Sequence, residues 1–324
     1  MGKRLTRRNI VVGAGALLGV GAATTGLVYW KKLGPLPVRA EAPDLASARR
    51  DFRVPPQPGA PTLAIATGAG GAAALAERAV VALGGLGRFV ARGDVVCVKP
   101  NIGWARTPGQ AANTSPDVVA YLVRAALAAG AKRVVVTDRS CNDPVRSFEA
   151  SGIAAAASDA GAEILVPGPE HFVERAVRGR ILDSWPLLEP ALSADKLINV
   201  PVAKNHGSAQ LTAAMKNWFG VLGGERGRLH SELDVAIADI AAHVRPTLTV
   251  VDATTVMVKN GPRGGSLDDL VAKDTVLASL DEVAADAFAA TLVGLEPSAV
   301  GYLALGEALG LGTRDWSSLG PVRV

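Results

Sequence analysis

The chain has 324 residues, 49% hydrophobic and 20% charged, enough to pack one large α/β domain and too apolar for disorder over most of its length. The formal charge of +4 comes from residues 1–32, where Lys3, Arg4, Arg7, Arg8, Lys31 and Lys32 meet no acid; the remainder carries 28 basic against 30 acidic residues. A body so balanced lacks the basic stripe of a nucleic-acid surface, and no nucleic-acid partner is expected.

In chain order, Thr6-Arg7-Arg8-Asn9-Ile10-Val11-Val12 sets two arginines before an uncharged, Gly/Ala-rich stretch from Asn9 to Trp30, closed by Lys31-Lys32. Residues 1–33 resemble a twin-arginine export signal or the membrane anchor such a signal becomes when it is retained. The alternative is a Sec signal or an ordinary membrane helix, since the length nearly suffices to span a bilayer. Gly21-Ala22-Ala23 offers small residues but no strong cleavage site follows the apolar stretch, so removal and retention both stay open. Either way the body is expected outside the cytoplasm, on the periplasmic or cell-surface side, held to the membrane if residues 9–30 remain, with the twin-arginine translocase as its export partner. Residues 34–61 read as a proline-rich linker, and residues 62–324 as one α/β domain.

The body opens with a strand at Thr62–Thr67 and an alanine-rich helix over 72–83. A short apolar run at Val95–Val98 leads into Lys99-Pro100-Asn101. Pro116 starts a helix to Ala129, and a buried strand over Val134–Thr137 ends at Asp138. A helix over 150–160 and a strand at Glu163–Val166 follow. Lys196–Val200 feeds the Lys204 segment, with a helix predicted from near Ser208. Leu233–His243 reads as helix, Leu248–Val251 as a strand ending at Asp252, and Thr275–Ser279 as the next, ending at Asp281. Two helices, over 281–293 and 297–309, close the chain. Short apolar runs alternating with helices give an α/β class: a mostly parallel sheet flanked by helices, with the ligand site at the C-terminal ends of the strands. No dinucleotide-binding or P-loop glycine pattern stands at a strand–helix junction. Cys97 and Cys141 read as unpaired, partly buried thiols, and two cysteines cannot ligate an iron–sulfur cluster with four thiolates.

The segment from Lys204 to His230 gathers Lys204, Asn205 and His206, then Thr212, then Lys216 and Asn217, then Arg228 and His230, spaced by glycines. Such residues line pockets better than cores, and supply donors for a small anionic ligand or for charge that develops in a reaction. Lys204 and His206 lie two apart, so an extended backbone points both to one face. Lys99, Asn101, Lys204, Asn217 and Arg228 are candidate ligand-binding residues. His206, Lys216 and His230 are candidate catalytic residues, and His206, His230 and Asp252 form a candidate set for a divalent metal. Trp218 and Phe219 read as wall or core, Asp281 as a helix cap or site carboxylate, and Asp286 as a further carboxylate. Gly261-Pro262-Arg263-Gly264-Gly265 reads as a flexible loop able to close over a ligand.

Several short stretches together resemble the domain-of-unknown-function family numbered 362: Val98-Lys99-Pro100-Asn101, Asn113-Thr114-Ser115-Pro116, Lys204-Asn205-His206, Thr212 with Lys216-Asn217-Trp218-Phe219-Gly220, His230, Val251-Asp252-Ala253, Gly261-Pro262-Arg263-Gly264, and Ser279-Leu280-Asp281 with Ala284 to Asp286. The resemblance spans roughly residues 62–312. It implies an association with redox systems, hence a redox partner protein, because some members are joined to ferredoxin-like cysteine modules that this chain lacks. It implies no activity. A fainter similarity links His206, Lys216 and His230 to the nickel-pincer lactate racemase family, which implies that Lys216 holds the cofactor, His230 binds metal and His206 moves a proton. A third alternative is a non-catalytic extracytoplasmic binding or accessory module.

Overall fold

The computed structural model describes Leu36, Val38, residues 48–55 and residues 57–324; the twin-arginine segment and part of the linker lie outside the described residues. The elements in chain order are β1 (Arg50–Asp51), β2 (Leu63–Thr67), α1 (Gly71–Ala82), β3 (Val95–Pro100), α2 (Pro116–Ala128), β4 (Arg133–Thr137), α3 (Pro144–Ala150), α4 (Ile153–Asp159), β5 (Glu163–Leu165), β6 (Phe172–Ala176), β7 (Ser184–Leu188), α5 (Glu189–Leu192), β8 (Lys196–Val200), β9 (Val202–His206) and β10 (Gln210–Thr212). They continue with α6 (Ala214–Asn217), α7 (Leu233–His243), β11 (Val244–Arg245), β12 (Leu248–Met257), β13 (Leu270–Ser279), α8 (Glu282–Val293), α9 (Gly301–Ala308) and β14 (Val322–Arg323).

Ten strands form the central sheet in the order β14-β2-β13-β12-β8-β3-β4-β5, with β9 beside β12 and β10 beside β9. The stretch β12-β8-β3-β4-β5 is parallel throughout, as is β9 against β12. Period-two alternation sends successive residues to opposite faces. Leu63, Ile65, Cys97, Leu197, Val251 and Leu277 enter the layer packed by α6–α9. Ala64, Ala66, Val96, Val98, Ile198, Val250 and Val276 enter the layer packed by α1, α2 and α4. Both faces are covered, which is why these strands read as nearly continuous apolar runs.

The expected α/β class with a mainly parallel sheet holds, with four local differences. The helix expected over 150–160 is α4, which starts only at Ile153 after Gly152 at φ 71°, and a separate helix, α3, precedes it. The helix expected from near Ser208 is a hairpin: β10 folds back on β9, pairing Gln210 with His206 and Thr212 with Lys204, and only a short α6 follows. β12 does not stop at Asp252 but runs on to Met257, since Thr254, Thr255 and Val256 are β-formers. β13 returns antiparallel along β12, pairing Ser279 with Thr249, because residues 258–269 join the two without a crossover helix. Asp281 therefore lies at the opposite sheet edge from Asp138. There it caps α8 through the Ala284 N–H and accepts from the Thr313 N–H.

Candidate functional site

A cavity of about 460 Å³ opens where β3, β4 and β9 end, walled by the 226–230 turn and by Pro262 and Arg263. β3 delivers Asn101, β4 delivers Asp138 to Cys141, and β9 delivers Lys204 and His206 to one face, as the two-residue spacing dictates. α6 presents Lys216 and Asn217. This helix is too short to hold itself, and the buried Asp286 carboxylate pins its first turn by accepting from the Ala214 and Met215 N–H groups.

Hydrogen bonds fix the wall from behind. Asn101 Nδ2 donates to Asn217 Oδ1 at 3.1 Å, Asn217 Nδ2 to Asn199 Oδ1 at 2.8 Å, and Asn199 Nδ2 to Glu282 Oε1 at 2.7 Å. Glu282 also accepts from Trp218 Nε1 and Thr249 Oγ1, and burial pushes its carboxyl up to about 7. The chain of amides sets the roll of Asn101, whose oxygen takes a bond from Lys204 Nζ at 3.1 Å; Ala112 O takes a second.

Lys204, Lys216, Arg139, Arg226 and Arg263 line the cavity, and Asp138 is the single acid in its wall. Asp138 is already neutralised: Lys99 Nζ lies 2.6 Å from its Oδ1, with both side chains buried. Neither Lys204 nor Lys216 has a carboxylate partner among the described residues. Lys216 Nζ sits 3.6 Å from the centroid of the Phe219 ring, a cation–π contact. Burial first, and for Lys216 the Arg226 guanidinium next, brings both amines down to about 7.

The two imidazoles are held in opposite tautomers. His206 Nδ1 accepts from the Ser208 and Ala209 N–H groups at 3.2 Å each, so its proton is on Nε2. Burial, then Lys216 and His230, pulls its pKa down to about 3, which makes it a neutral donor. His230 Nδ1 lies 3.1 Å from Gly227 O, a pure acceptor, so Nδ1 carries the proton and Nε2 keeps its lone pair. Burial and Lys216 lower this imidazole as well.

Of the residues singled out from sequence, Asn101, Lys204, His206, Lys216, Asn217 and His230 line one cavity, with Phe219 and the Pro262–Arg263 loop. Lys99 stands behind Asp138 rather than in the wall. Asp252 is buried away from the lining residues, with its oxygens taken by the Ser115 N–H, the Thr254 N–H and the Thr254 hydroxyl. The proposed set of His206, His230 and Asp252 is thus not gathered, and among the described residues no group of three or more His, Cys, Asp and Glu is placed to hold a metal ion. His206 would also have to give up two backbone hydrogen bonds, or the Nε2 proton, to ligate.

Arg226, not Arg228, reaches the wall. Its guanidinium donates to Phe219 O, Arg139 O and Ser140 O and comes within 3.3 Å of Cys141 Sγ. The sequence signal for Arg226 was the same as for Arg228; only the 3₁₀ turn over Arg226–Glu232 decides between them. Trp104, Arg139 and Cys141 gave no sequence signal, because they reach the cavity from loops after β3 and β4. Cys97 and Cys141 are both free, the first fully buried and the second exposed.

Among curated proteins the chain is similar to the "Thylakoid-associated protein sll1697" of Synechocystis, 28% identical over 243 residues that cover 71% of this chain and 72% of the relative. The family model described as "Domain of unknown function (DUF362)" matches residues 96–291, a span that runs from within β3 into α8 and holds every lining residue of the cavity, and the chain belongs to that family.

Proposed function

We propose that this protein binds a small organic anion in the Lys204–Lys216 cavity and moves protons on it, working outside the cytoplasm or at a membrane. The observation that carries the reading is the charge imbalance of the wall: five cationic side chains face one acid, and that acid is spent on Lys99. A pocket with such a surplus recruits anions. His206 Nε2–H donates to the bound anion, and His230 Nε2 is the proton acceptor. Calorimetric titration with glutarate and phosphate tests the binding. A dissociation constant that weakens at least tenfold in Lys216→Met, with the fold retained, supports it; wild type that binds neither anion contradicts it.

A second reading draws on His230. An imidazole with Nδ1–H tied to a carbonyl and Nε2 free is how proteins present a metal ligand. Lys216 nearby matches the nickel-pincer resemblance, in which His230 holds the metal and Lys216 the cofactor. Metal analysis and intact mass of the purified protein decide it: nickel with added mass on Lys216 supports this reading, and an unmodified metal-free chain ends it.

Placement outside the cytoplasm rests on the Arg7-Arg8 motif, and the thylakoid association in the relative's name supports membrane association alone. Among the described residues no helix is long and apolar enough to cross a membrane.

A further inference from the structure

We propose that the Lys216 amine is a nucleophile that captures a 2-oxo dicarboxylic acid as an imine. The inference rests on the anion-binding reading above and names its substrate class. Three features of the cavity converge on it.

Lys216 is only 8% exposed yet lines the cavity, and among the described residues its ammonium has neither a carboxylate nor a hydrogen-bond partner, only the Phe219 face. A buried lysine kept for structure is normally ion-paired, as Lys99 is with Asp138. One kept for its lone pair needs the opposite: an apolar contact, no acid, and other cations nearby to disfavour its proton. Lys204 differs, because Asn101 and Ala112 accept from its Nζ and hold it as a donor.

The second feature is the proton carrier. Phe219 bridges amine and base: its ring centroid lies 3.6 Å from Lys216 Nζ and 6.2 Å from the His230 ring, which meets it edge-on. The free Nε2 of His230 can take a proton from the attacking nitrogen, and the Nε2–H of His206 can hydrogen-bond the carbonyl oxygen as negative charge develops there.

The third feature is the spread of positive charge. Lys204, Arg226 and Arg263 are separate cationic groups around one space of about 460 Å³, room for a ligand with two carboxylates. A 2-oxo acid sets its electrophilic carbon beside a carboxylate, so the group that anchors the anion also places the carbonyl.

The step balances without an oxidant. The neutral amine adds its lone pair to the carbonyl carbon and the π pair moves to oxygen. His230 carries one proton from nitrogen to that oxygen, giving a carbinolamine. His230 then carries the second nitrogen proton to the hydroxyl, which leaves as water while the nitrogen pair forms C=N. Amine and ketone become imine and water, and both hydrogens of the water come from Lys216 Nζ.

The full chain is incubated with 2-oxoglutarate, or with glutarate as the same dianion without the carbonyl, then treated with cyanoborohydride and mapped by peptide mass. The expected result is one reduced adduct on Lys216 with 2-oxoglutarate, none with glutarate, and suppression of the adduct by excess glutarate. Lys132→Arg, on the exposed surface, keeps the adduct and Lys216→Arg loses it. An adduct on Lys204, or spread over the exposed Lys132 and Lys259, overturns the proposal, as does no adduct in wild type. Calorimetry with glutarate separates the two levels: binding without an adduct sinks the imine alone, and absence of binding sinks the anion site beneath it. The glutarate competition uses wild type only, so a Lys216→Arg variant that fails to fold does not remove the test.

Discussion

At the scale of single residues, the site is defined by which cations have partners. Lys99 and Lys216 are both buried lysines, yet one is ion-paired and the other is not. Lys99→Met leaves the Asp138 carboxylate buried and uncompensated, and is expected to cost about 3–5 kcal/mol of unfolding free energy by denaturant titration. Lys216→Met removes an unpaired amine from an apolar setting and is expected to leave stability unchanged or raised at pH 6. The sign with pH follows from linkage. The folded-state pKa of Lys204 and Lys216 is near 7 and the ordinary value is 10.5, so the unfolded chain binds more protons between those limits. Their contribution to stability therefore rises with pH across that window, and a lysine-to-methionine change flattens the rise in a thermal-melt series. Anion affinity runs the other way and falls as pH climbs through about 7, because the cavity loses its two ammonium charges. Sequence reading found much of the cavity wall because a cluster of Lys, His and Asn between glycines has little use in a core. It could not rank Lys99 against Lys216, since pairing depends on Asp138, which is far off in sequence.

At the scale of elements, the least expected device is α6. Four residues cannot sustain a helix, and the Asp286 carboxylate from α8 supplies the acceptors for its first N–H groups. Asp286→Asn replaces one acceptor by an amide that cannot accept. We expect a loss of about 1–2 kcal/mol and weaker anion binding, while Asp281→Asn, which loosens the α8 cap and the Thr313 contact at the far edge, lowers stability without touching binding. Gly220 is a second constraint: a Cβ there would overlap Asp138 Oδ1 and Lys99 Nζ, so Gly220→Ala is expected to separate the ion pair and lower the melting temperature. The run around Ser208 reads as helix because its alanines favour that state, and the hairpin is decided by pairing with β9 that periodicity does not reveal.

At the scale of the molecule, the alternation of apolar runs and helices was enough to give the class, and the parallel stretch β12-β8-β3-β4-β5 put Asn101, Asp138 and the segment after β8 on one edge. The reversal of β13 was hidden, because strand direction leaves no mark on composition, and with it Asp281 moved to the far edge. Asp252 was misjudged for a related reason: the apolar run ends there while the strand continues. For the whole chain, changing Arg7 and Arg8 to lysine together is expected to retain the protein in the cytoplasm, read by fractionation; unchanged placement would contradict the export reading.

The most direct test of the cationic cavity is a crystal of the protein soaked in iodide or selenate and measured at a wavelength where the anion scatters anomalously. A peak enclosed by Lys204, Lys216 and Arg226, within reach of His206, is expected, and so is its loss when Lys204→Met and Lys216→Met are combined. Anomalous peaks confined to surface arginines, with the cavity holding none, would contradict it.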